Sequence, residues 1–168
     1  MVNVLREQKI IDSNKRALIK YVFICDGSQV SNSVLVNVST LSFALNANGY
    51  IMQSGIHPKN SYNTTIKRIN GNAAAANAKI RLSWHGDANS EIVTFGPGSF
   101  DYDFQSMGDG ATIPNPESNS TGQILLTTRN LGPGELLTIF VDLRKDSLDY
   151  DSGQTADPYA FNRGPAAP

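Results

Sequence analysis

Charge is scarce in this chain. Asp, Glu, Lys and Arg make up 17% of the residues, against about 25% in an average soluble domain. The little there is nearly cancels, to a net −1 and a pI near 6.1. Nucleic-acid binders need a basic face to displace counterions, so that class is disfavoured. There is one cysteine, Cys25. A lone thiol cannot staple a fold, and within the apolar run ALIKYVFIC it reads as a small buried hydrophobe. The two histidines, His57 and His85, have no Cys or His at zinc-ligand spacing. No run approaches the length of a membrane span. The opening MVNVLREQKIID is charged too early, and lacks the apolar core, to read as a signal peptide. The glycine clusters at 96–98 and 108–110 do not match a phosphate-cradling loop. No cofactor, metal, membrane or nucleic-acid partner is expected.

Asn, Ser and Thr fill the space left by charge, at roughly a quarter of the chain. Their side chains compete for backbone hydrogen bonds, which favours turns and exposed strand faces over helices. Period-two patterns dominate the rest. In the last strong segment, Thr121 to Lys145, Leu137, Ile139, Val141 and Leu143 alternate with Thr138, Phe140, Asp142 and Arg144. AKIRLSW sets Ile80, Leu82 and Trp84 against Lys79, Arg81 and Ser83. SFDYDF sets Phe100, Tyr102 and Phe104 against Asp101 and Asp103. Further extended segments are read at residues 2–11, 16–25, 34–38, 63–69 and 91–95. Thr40 to Ala47 is read as a short helix or loop turn, and Asn70-Gly71-Asn72 with the four alanines after it as a loop. The basic pairs Lys15-Arg16, Lys67-Arg68 and Arg144-Lys145 are placed at strand ends and solvated edges, where they discourage edge-to-edge aggregation.

Eight or nine short strands with frequent turn signals predict an all-β fold, an antiparallel β-sandwich of jelly-roll or immunoglobulin-like type, with extended N- and C-terminal arms. The expected division is an N-terminal arm or edge strand (1–14), a sandwich body (15–145) and an extended C-terminal arm (146–168).

Few residues suggest chemistry. Asp101 and Asp103 share a strand face and could flank a sugar or a metal, but alternation alone explains a solvated acidic face. Asp149 and Asp151 in DSLDYDSG have the spacing of a calcium-loop fragment, which fails where Gly153 replaces a ligand and no glutamate follows. A Ser-His-Asp triad needs no sequence proximity, but no G-x-S-x-G elbow supports one. Trp84, Tyr102 and Phe104 could form a carbohydrate platform, yet they fall at packing positions. The polar tail after Lys145 is too charged and proline-rich to build a core. Tyr150, Tyr159, Phe161 and Arg163 are its candidate partner-binding residues.

The segments RLSWHGDANSEIVTFGPGSFDYDF and TGQILLTTRNLGPGELLTIFVDLRK resemble small β-rich structural proteins of tailed bacteriophages, especially marine and cyanobacterial phages. The likeness covers roughly residues 15–145. It is carried by the Trp84 strand, the glycine-bounded Phe100 strand and the final strand ending in Leu143-Arg144-Lys145. The resemblance implies a non-enzymatic virion protein, a capsid cement or decoration protein bridging major capsid subunits, or a neck or tail component. It implies assembly as a homo-oligomer with other virion proteins, and it brings no catalytic residues. A carbohydrate- or receptor-binding sandwich is the alternative expectation.

Overall fold

The computed structural model describes residues 2–49, 51, 59–106, 113–116 and 119–151. The fold is all-β, with two antiparallel sheets packed as a sandwich. The strands are β1 (Val4–Asp12), β2 (Arg16–Ile24), β3 (Ser33–Val36), β4 (Thr64–Ala73), β5 (Lys79–Trp84), β6 (Glu91–Phe95), β7 (Gly98–Asp103), β8 (Ile113–Pro114), β9 (Ile124–Arg129) and β10 (Leu136–Lys145). One sheet has the order β1-β2-β10-β4-β7, with β8 beside β4; the other has the order β3-β9-β5-β6. β7 and β8 take successive lengths of the same β4 edge.

The alternations resolve as their period requires. Ile80, Leu82 and Trp84 from one sheet, and Leu137, Ile139, Val141 and Leu143 from the other, are buried in one core. Ala17, Ile19, Tyr21 and Phe23 of β2 join them, as does the free thiol of Cys25. β2 and β10 sit side by side in antiparallel register, so their inward residues form a continuous apolar floor.

One local expectation is narrowed and one needs correcting. Of the two options at Thr40 to Ala47, the loop turn holds and no α-helix forms. A single 3-10 turn spans Val38–Thr40, begun by the Asn37 side chain accepting from the Ser39 amide. Residues 44–46 are then drawn into bridges with other segments. Asn70-Gly71-Asn72 is also not a loop, because β4 runs straight through it to Ala73, pairing with β10 on one side and β7 on the other. Gly71 marks a close backbone approach: a Cβ there would lie 2.0 Å from the Thr138 carbonyl oxygen and 2.7 Å from the Phe100 ring. Gly71→Ala is therefore expected to lower stability by about 1–3 kcal/mol through overpacking. An unchanged urea midpoint would refute that packing.

β1 differs from the other strands. It pairs only with β2, at the sheet edge, and every residue from Val4 to Ile11 is exposed. Val4, Leu5, Ile10 and Ile11 leave apolar surface in solvent. The pairing is interrupted by a bulge between Lys9 and Ile11.

Candidate interaction surfaces

The C-terminal end of the described chain is built into the body. Tyr150, expected on a partner-binding arm, is wholly buried, and its hydroxyl donates to the Val38 carbonyl at 2.9 Å. Its ring packs against Tyr62 at 5.7 Å between centroids. Burial pushes its phenol well above the ordinary range, with Asp149 adding to the effect, so it serves as a neutral donor. The Asp149 carboxylate receives the Lys59 ammonium at 2.9 Å and the Asn63 amide at 2.7 Å. The Asp149 carbonyl accepts from the Leu45 amide, and the Asp151 amide donates to the Phe43 carbonyl. A calcium-like role for Asp149 is thereby replaced by a structural one, since its two oxygens are committed to protein donors. The folded body continues past Lys145 to Asp151. Tyr159, Phe161 and Arg163 lie outside the described residues, as does His57.

Lys145 overturns its expected place at a solvated edge. Its side chain is fully buried. The ammonium forms an ion pair with Asp12 and donates to the carbonyls of Ser13 and Ser42 at 2.7 and 2.8 Å. It also sits 5.0 Å from the centre of the Tyr150 ring. Asp12 in turn accepts from the Ser42 amide, and Lys9 reaches the Thr40 carbonyl. One buried cation thus ties together the end of β1, the β1–β2 turn, the 40–42 segment and the last strand.

The outer face of the larger sheet carries alternating charge. Arg16 makes two hydrogen bonds to Asp142, at 2.8 and 2.7 Å, which explains how Asp142, expected on a surface, is largely covered. Arg68 holds Asp101 through Nε at 2.8 Å and keeps that carboxyl below its ordinary value. Asp103 accepts instead from the Gln105 amide of its own turn. The two aspartates therefore do not converge on a shared ligand. No group of three or more metal-ligating side chains occurs among the described residues. His85 Nδ1 contacts the Thr121 hydroxyl at 3.1 Å, while Ser120 donates to the His85 carbonyl rather than to the ring. A serine nucleophile activated by the imidazole is not assembled there. Trp84 is buried with Ile80 and Leu82, so it offers no platform to a sugar.

Among the described residues, the β1 edge combines exposed apolar side chains with one edge outside the sheet pairing, and so is open to a partner. No family model, curated protein or solved structure matches the chain. Among the described residues, no helix is long and apolar enough to cross a membrane.

Proposed function

We propose that this protein is a non-enzymatic structural component of a tailed-bacteriophage virion, a cement or decoration protein that bridges capsid subunits. Its work is adhesion. The observation that carries the reading is the β1 edge, a nine-residue strand exposed along both faces from Val4 to Ile11. Sheets usually charge or bulge such edges to limit association. The middle of β1 carries Arg6, Glu7, Lys9 and the bulge after Lys9, so the apolar surface is confined to its two ends. Here Val4, Leu5, Ile10 and Ile11 remain partly in solvent, a form suited to adding a strand from a neighbouring subunit. Many identical contacts in a particle make a modest interface effective through avidity. The sequence resemblance supports the virion setting, and the low charge suits a surface that packs against protein. Residues 152–168, with Tyr159, Phe161 and Arg163, supply a second contact in this reading.

A double variant, Leu5→Lys with Ile10→Lys, tests the edge. Both side chains are already partly solvated, so the fold should persist, as checked by circular dichroism. Incorporation into particles, measured by mass spectrometry of purified virions, should fall about tenfold or more, as expected from loss of roughly 1.4 kcal/mol at each interface. Wild-type copy number for the folded double variant would refute the edge as the contact. Truncation after Asp151 tests the tail in the same assay.

A further inference from the structure

The second sheet holds an unexplained concentration of positive charge on its outer face. Lys79 lies directly opposite Arg129 in the β5–β9 register, and Arg81 is paired with Thr127 on one side and Thr94 on the other. Three cations therefore occupy adjacent outward positions on neighbouring strands. Like charges directly opposite one another destabilise a sheet. None of the three makes an ion pair among the described residues. The one nearby carboxylate, Glu91, lines the same cleft without closing on any of them within 4.0 Å.

The cations surround a cleft of about 400 Å³, to which Ser31 and Thr94 also contribute. Arg81 is held at its side: one terminal nitrogen donates to the Asn32 side chain at 3.4 Å, and that same oxygen accepts from the Thr127 hydroxyl at 3.2 Å. Its Nε, however, is buried and has no hydrogen-bond partner. A guanidinium Nε–H left unsatisfied out of water is costly, which favours a small movement of the Arg81 side chain that brings it to a ligand oxygen.

We infer that this cleft binds a tetrahedral oxyanion, a phosphate or sulfate that is free or carried as an ester. Three cations and two hydroxyl donors match the several acceptor oxygens of such a group. Arg81 supplies directional N–H donors, while Lys79 and Arg129 supply charge. A bound anion would also relieve the Lys79–Arg129 repulsion. The site lies on the opposite sheet from β1 and is independent of the proposed adhesion surface.

The test is a titration of the 15N-labelled full chain with inorganic phosphate, with sodium chloride matched in ionic strength as the control. Saturable amide shifts centred on Lys79, Arg81, Thr94 and Arg129 are expected. Arg129→Gln and Lys79→Gln alter exposed side chains, so both variants should fold. Each should weaken binding about tenfold, the usual effect of removing one charge-assisted contact. Phenyl phosphate in a parallel titration distinguishes the sources: tighter binding than phosphate assigns an ester on a larger ligand, and weaker binding assigns the free ion. Shifts that match the chloride control, that persist undiminished in both variants, or that acetate reproduces at equal affinity would overturn the assignment.

Discussion

Cutting the chain after Lys145 is expected to destabilise the body severely, while cutting it after Asp151 leaves the body folded. The two sites lie close together, but the segment between them holds the clasp. Removing Tyr150 empties a fully buried aromatic position between Val38 and Tyr62. Loss of a buried aromatic alone costs about 3–5 kcal/mol, a large share of the roughly 5–15 kcal/mol that holds a typical domain together. The cut at Lys145 also leaves the Lys59 ammonium and the Asn63 amide without the Asp149 carboxylate. A drop in melting temperature of roughly 10 °C or more should follow, read by differential scanning calorimetry. Tyr150→Ala in the full chain should reproduce most of that loss. Equal melting temperatures for the two truncations would show that the clasp adds nothing. The comparison also matters for the proposed function. Particle incorporation lost after the cut at Lys145 reports on folding. Incorporation lost by a folded chain that ends at Asp151 reports on contacts made by residues 152–168.

Much of this architecture was legible because a strand's period is an integer. Ile80, Leu82 and Trp84 declare their face, and so do the four apolar residues of β10. What escaped was chemistry that breaks the apolar code. Lys145 continues the parity of Leu137, Ile139, Val141 and Leu143, so its position pointed inward even though its side chain is ionic. Asp12, 133 residues away, and the carbonyls of Ser13 and Ser42 make that position tolerable, and no local pattern reveals such partners. Tyr150 was hidden differently: its neighbours are polar, and one turn with one buried ring has no periodicity to detect. Gly71 read as a turn because glycine commonly marks one, when the requirement was room for the Thr138 carbonyl. The exposed β1 edge was legible as an option, since the first segment could be an arm or an edge strand. The facing of Lys79 and Arg129 was not, because it depends on a register between strands far apart in the sequence.

Lys145→Met should cost about 3–5 kcal/mol, as is usual on removing one member of a buried ion pair. Methionine keeps most of the packing volume, so the loss would come from the groups left behind: the Asp12 carboxylate and the carbonyls of Ser13 and Ser42. Burial pulls the Lys145 ammonium below its ordinary 10.5 despite the opposing hold of Asp12, which shows how costly charge is at that position. A double variant, Asp12→Asn with Lys145→Met, should recover at least part of the stability, because replacing both members avoids an unpaired buried charge. The pH dependence separates this account from simple loss of packing. Burial alone would raise the Asp12 carboxyl, but the Lys145 hydrogen bond and the Ser42 amide outweigh it, and its folded pKa lies below the ordinary 3.8. Its contribution in the wild type is therefore complete above 3.8 and is lost as pH falls through the depressed value. Without Lys145, burial is opposed only by the Ser42 contacts and by the Lys9 ammonium at 3.5 Å, so the carboxyl pKa rises relative to its wild-type value. Acid therefore weakens the variant less than it weakens the wild type. The gap between them, measured by urea unfolding, should be widest near neutrality and narrow as the pH falls below the ordinary carboxyl value. A gap that stays constant down to strong acid would mean that Lys145 acts through packing, not through its charge.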